Sequence, residues 1–130
     1  MSEQTILYIE DNEYNRKIVR QLFSRTSYRL IEAVDGEAGV TMAQQEAPNL
    51  ILMDVQLPKM SGLDATRALK ADARTSHIPI IVITSFALSG DREKAAEAGA
   101  ASYLAKPYSP RELLALVRQY LPEAGSPEAR

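Results

Sequence analysis

Short apolar runs rich in β-branched residues recur along the chain at residues 5–10, 29–33, 49–54, 79–84 and 102–105. Each is nearly continuous rather than alternating, which predicts strands covered on both faces, as in a parallel sheet. The longer segments between them carry a helical period. Tyr14, Ile18, Val19, Leu22 and Phe23 recur at i, i+4, i+5, i+8 and i+9, which is one apolar face of a helix. Local signals place the helix ends. Asp35 is predicted to cap a helix running to about Glu46. Ser61, with Asp64 three residues on, is spaced like a capping box that opens a helix over 62–71. Ser109-Pro110-Arg111-Glu112 puts Ser at N-cap, Pro at N1 and Glu at N3, and the stripe Leu113, Leu114, Leu116, Val117, Tyr120, Leu121 follows. A helix over 91–98 stops at Gly99, a fitting C′ residue.

Five strands alternating strictly with five helices imply right-handed βαβ crossovers and an α/β fold. The expected architecture is a flavodoxin-like (βα)5 three-layer sandwich on a parallel five-stranded sheet. Its expected strand order is 2-1-3-4-5, with a crevice between the first and third strands. The domain is expected over residues 4–121, with 122–130 as a short unstructured tail. No internal repeat is evident.

The strand ends hold the chemistry. The first run ends in Glu10-Asp11, the third in Asp54, the fourth in Thr84-Ser85 and the last in Lys106-Pro107. In a parallel sheet these carboxyl ends lie side by side, where ligands bind. Three carboxylates, a hydroxyl and an ammonium are therefore expected on one rim. Ionised together, the carboxylates require a cation among them or must hold protons. Hard oxygen donors without His or Cys suit Mg²⁺ or Mn²⁺. Mg²⁺ takes few carboxylates and keeps several waters. Asp11 and Asp54 as direct ligands, Glu10 acting through water and one backbone carbonyl would meet that demand. Read alone, Glu10-Asp11 also fits a solvated strand end or an N-cap at Asp11.

Composition narrows the alternatives. The 130 residues are 45% hydrophobic and 25% charged, which is ordinary for a single globular domain. With no cysteine, disulfides and thiolate metal sites are excluded. Net charge is −2 and no Lys/Arg cluster stands out, so a nucleic-acid surface is not supported. No apolar stretch reaches the ~20 residues of a membrane helix, and Met1-Ser2-Glu3-Gln4-Thr5 lacks a basic signal region. A cytoplasmic protein is expected. His77, the single histidine, has no nearby Ser, Cys or second His to make a triad or a metal site.

A metal-bound Asp54 is suited to attack a phosphoryl donor as a carboxylate nucleophile. Lys106 and Thr84 would then stabilise charge on the peripheral oxygens. Each residue also has an ordinary reading, Thr84 as a plain strand end and Lys106 as a solvated lysine.

The set as a whole resembles the receiver domain of two-component response regulators, the CheY-like family. The matching residues are Glu10-Asp11, Asp54 with Pro58 and Gly62 after it, Thr84-Ser85 and Lys106-Pro107, over about residues 4–121. Tyr8-Ile9-Glu10-Asp11-Asn12 and Thr84-Ser85-Phe86-Ala87 are similar to stand-alone receivers of the DivK type. The resemblance implies Asp54 as phosphoacceptor and Mg²⁺ held by Asp11, Asp54 and the Gln56 backbone carbonyl, with Glu10 through water. It implies Thr84 and Lys106 on the phosphoryl group, Tyr103 as the switch aromatic and a cis Lys106-Pro107 peptide. The donor would be a phosphohistidine on a sensor kinase or a histidine phosphotransfer protein. Output would pass to an effector protein through the surface of residues 87–121, from a monomer or weak dimer with no fused effector. Gln56 and Phe86 flank the expected path of hydrolytic water. Glu10 stands where the family more often has Asp, and Ser85 where Ala is frequent.

Two other functions fit the sequence less well. An aspartate-based phosphatase wants a second acid two residues after its nucleophile, and here that position is Gln56. A flavodoxin-like cofactor binder wants a phosphate loop after the first strand, where Asp11-Asn12-Glu13 would repel phosphate.

Overall fold

The computed structural model describes residues 4–85 and 91–122, except the Asp91 side chain. Its elements alternate throughout: β1 Thr5–Ile9, α1 Glu13–Phe23, β2 Arg29–Ala33, α2 Gly36–Glu46, β3 Leu50–Asp54, α3 Gly62–Ala71, β4 Ile80–Thr84, α4 Asp91–Ala98, β5 Ser102–Ala105 and α5 Pro110–Tyr120. All the pairings are parallel and the order is β2-β1-β3-β4-β5. Both features match the sequence expectation, and strand bounds shift by one residue at most. Phe86 and residues 123–130 of the expected tail lie outside the described residues.

The three central strands are buried along their whole length, while β2 and β5 at the edges are only partly covered. Strand periodicity divides their side chains between two cores. Ile6, Tyr8, Leu50, Leu52, Ile81 and Ile83 meet Val19 and Phe23 of α1 and Leu113 and Val117 of α5. Leu7, Ile9, Ile51, Met53, Ile80 and Val82 meet Ala43 of α2, Ala65 and Leu69 of α3 and Ala95 of α4. Two helices thus cover one face of the sheet and three cover the other. Each fully buried aliphatic side chain contributes roughly 1.5–3 kcal/mol of transfer free energy, which holds the strand ends in register.

Local chemistry sets most helix ends as expected. Asp35 accepts the Ala38 N–H at 2.8 Å. Ser109 and Glu112 form a complete capping box. At Gly99, φ is 103°, Gly99 N–H donates to Ala96 O and Ala100 N–H to Ala95 O, which is a Schellman ending. The Ser61 box is only half made. Ser61 accepts the Asp64 N–H at 3.1 Å, but the Asp64 carboxylate turns to Arg67 at 2.9 Å. Asp is one methylene shorter than the Glu or Gln that usually reaches back to the cap.

The α1 stripe also departs from expectation. Val19 and Phe23 are buried, whereas Tyr14 is 71% and Ile18 44% exposed. The helix runs back antiparallel to β1, so its first turns lie level with the carboxyl rim, where few strand side chains remain to meet them. Among the described residues no helix is long and apolar enough to cross a membrane.

Candidate functional site

Parallel pairing of β1 with β3 sets Ile9 beside Met53. The next residues, Glu10 and Asp54, therefore emerge together at the rim, with Asp11 one step beyond. Carboxylate oxygens of Glu10, Asp11 and Asp54 lie within 4.8 Å of one another. Glu10 and Asp54 are buried, at 1% and 4% exposure, while Asp11 is exposed. Lys106 arrives from the end of β5, across β4, and its length carries Nζ to 3.5 Å from Asp54 Oδ2 and 3.4 Å from Glu10 Oε1. Burial pulls the Lys106 pKa down, but the charges of Asp54 and Glu10 outweigh it, and the ammonium is held above its ordinary value.

Thr84 ends β4, 2% exposed and in register with Ala105. Its carbonyl accepts the Lys106 N–H at 2.7 Å, and the Lys106–Pro107 peptide is cis. Gln56 is exposed, and its N–H donates to Asp54 Oδ1 at 3.1 Å. Tyr103 lies apart from the acidic cluster, half-buried on β5, with the Arg92 guanidinium 5.3 Å from its ring centroid. His77 is exposed in the turn after α3.

The cap of α1 is Asn12, whose side chain accepts the Asn15 N–H at 2.9 Å. Asp11 is thereby released from capping, and its carboxylate joins the cluster. Arg16 Nη1 donates to the Glu10 and Asp11 carbonyls, each at 3.0 Å, while its Nε faces Glu32 at 3.4 Å. That guanidinium is committed to the backbone and to Glu32, so three carboxylates face one ammonium. The cluster's side-chain donors are all carboxylate oxygens, which fits a small divalent cation such as Mg²⁺ or Mn²⁺.

Comparison with known proteins agrees with this geometry. The family described as the response regulator receiver domain matches residues 6–118. This chain belongs to the response regulator receiver family. The receiver is 38% identical over 121 residues to the polar-differentiation response regulator DivK of Brucella anthropi, covering 93% of this chain and 98% of that protein. It is also similar to the receiver domain of the sensor histidine kinase PA1611 of Pseudomonas aeruginosa. That likeness has a TM-score of 0.84 and 36% identity, and it covers 92% of this chain and 98% of the other. The PA1611 receiver holds a magnesium ion in its active-site cleft. The response regulator Rcp1 in its Mn²⁺-bound form matches with a TM-score of 0.76 and 28% identity, over 89% of this chain and 90% of that one.

Tyr8, Asn12, Asn15, Arg16 and Tyr108 also neighbour the receiver's acidic site, in roles that no motif assigned to them. Asn12 ahead of a helical stripe carried a legible cap signal. Tyr8 in an otherwise aliphatic strand implied a polar partner for its hydroxyl. Arg16 carried no signal, because the acceptors beside the acidic site are backbone carbonyls and its third partner, Glu32, lies on another strand. Burial drives the pKa of both Tyr8 and Tyr108 upward.

Proposed function

We propose that this receiver accepts a phosphoryl group on Asp54 from a phosphohistidine of a sensor kinase or histidine phosphotransfer protein. The convergence of Asp54, Glu10, Asp11 and Lys106 on one rim supports this reading above any other observation. Asp11, Asp54 and the Gln56 backbone carbonyl would hold Mg²⁺, or Mn²⁺ in its place, with Glu10 reached through water. When bound, the cation supplies positive charge opposite the phosphoryl oxygens.

An Asp54 carboxylate oxygen attacks phosphorus. The new O–P bond forms as the donor's N–P bond breaks, and the electron pair stays on the imidazole nitrogen. The Lys106 ammonium, already 3.5 Å from Asp54 Oδ2, balances charge on the transferring group. The Thr84 hydroxyl, delivered by the end of β4, donates to a phosphoryl oxygen. Burial of Asp54 limits access of water to the acyl phosphate. The receiver would thus catalyse its own phosphorylation, and its own dephosphorylation would be slowed by the restricted entry of water.

The added group brings roughly −1.5 to −2 charge. Thr84 moves toward it, and Tyr103 leaves its stack on Arg92 and rotates inward. The β5–α5 side then presents a changed surface to an effector protein. A cytoplasmic location goes with this reading.

Intact mass after incubation with acetyl phosphate tests it, in Mg²⁺, in chelator and with Asp54→Asn. One added phosphoryl group that needs both Mg²⁺ and Asp54 is the expected result. No gain in Mg²⁺ would make the protein a constitutive binding module instead.

A further inference from the structure

Tyr8 is the one hydroxyl-bearing side chain that β1 sends into the core beneath α1 and α5. It is 1% exposed, and its ring is enclosed by apolar neighbours. Tyr8 and Glu10 stand two residues apart and so project from the same face of the sheet. The Tyr8 hydroxyl donates to Glu10 Oε1 at 3.3 Å.

Glu10 is gripped from further directions. Asn12 N–H donates to Oε2 at 3.2 Å, Asn15 Nδ2 donates to Oε1 at 3.3 Å, and Lys106 Nζ stands 3.4 Å from Oε1. The β5–α5 connection therefore reaches this carboxylate through Lys106. An Asp at position 10 would be shorter by one carbon–carbon bond, roughly 1.5 Å. Its carboxylate would draw away from the Tyr8 hydroxyl.

We infer that Tyr8 is a positioning residue matched to Glu10: its buried hydroxyl fixes the orientation of a carboxylate that reaches the metal only through water. This rests on the Mg²⁺-dependent reading of the site given above. A water-borne contact depends on carboxylate orientation more than a direct bond does, and outer partners of this kind commonly change metal affinity 10–100-fold.

The test is a double-mutant cycle of Tyr8→Phe and Glu10→Asp. Mg²⁺ affinity is measured by calorimetry, and the Glu10 Cδ resonance is followed by NMR in the chelated protein. Tyr8→Phe keeps the ring, so the core stays filled, and melting in chelator checks that the fold is intact. The expected result is a moved Glu10 Cδ resonance and about tenfold weaker Mg²⁺ binding. In the Glu10→Asp background the same change costs little affinity. An unmoved resonance overturns the contact. Equal losses of affinity in both backgrounds, or no loss in either, overturn the matching. Failure of the native protein to bind Mg²⁺ or to take a phosphoryl group overturns the functional reading and the positioning role with it. The metal-free resonance separates that outcome from failure of the contact itself.

Discussion

Gly62 lies so close beneath Asp54 that a β-carbon at position 62 would stand 2.0 Å from the Asp54 carbonyl oxygen. The obstruction is backbone, which cannot swing aside as a flexible side chain can. Gly62 N–H also donates to Val55 O at 2.9 Å, so the first turn of α3 is tied to the residue after Asp54. Elsewhere in a helix Gly→Ala stabilises by about 1 kcal/mol. Here Gly62→Ala is expected to destabilise by about 3 kcal/mol through overpacking. Urea denaturation in chelator gives the sign, and a stability equal to or above that of the native protein would contradict the close approach.

The end of α2 offers the opposite case. Ala47 caps that helix with φ 47° and ψ 60°, in the left-handed region, and is exposed. That conformation costs an L-residue about 1–2 kcal/mol, and the added freedom of Gly in the unfolded chain returns roughly 0.5–1 kcal/mol of the gain. Ala47→Gly should therefore stabilise by about 0.5–1 kcal/mol in thermal melts, with the metal site unaffected.

Charge in the acidic cluster gives a third expectation. Asp11 is exposed and is not engaged in capping, so its charge in the metal-free protein chiefly repels Glu10 and Asp54. Asp11→Asn should stabilise the chelated protein by about 1 kcal/mol, the Coulomb scale at this separation near water. Added Mg²⁺, which should raise the melting temperature of the native protein by binding its folded form, should raise that of the variant much less. An equal Mg²⁺ response in both would remove Asp11 from the proposed ligands.

Acid sensitivity is expected away from the site. Asp72 accepts from Arg74 through Nη2 and the backbone N–H, each at 2.8 Å, and from Gln44 Nε2 at 3.1 Å. Hydrogen bonds from the Arg74 side chain and backbone hold its pKa down at about 2, against an ordinary 3.8. A carboxylate depressed on folding adds stability that is present above its unfolded pKa and is lost as pH falls through the folded one. The contribution of Asp72 should thus fade from about pH 4 to about pH 2. Asp72→Asn should flatten that part of the melting-temperature profile, and an unchanged acid limb would refute the assignment.

The residues that declared themselves in sequence did so through short-range physics. The Ser109 box, the Asp35 cap and the Gly99 ending involve atoms a few residues apart. The apolar runs needed only to be continuous to predict a parallel sheet. Even the convergence of Glu10, Asp11, Asp54 and Lys106 follows once four strands are placed side by side, because each run ends in its polar group.

What only the tertiary structure decided concerns atoms that no local rule brings together. Tyr14 and Ile18 keep the period of a core stripe, yet they face out because the sheet ends beneath them. Which oxygens Lys106 meets on that rim, Glu10 Oε1 and Asp54 Oδ2, depends on the path of its side chain across β4. Tyr8 finds Glu10 because both sit on one face of one strand and the core around the ring leaves its hydroxyl no water. Sequence period and end signals determined the fold and the rim where its chemistry gathers. The partner each polar group takes was settled by burial, since a donor withdrawn from water must bond to whatever acceptor the packed chain sets beside it.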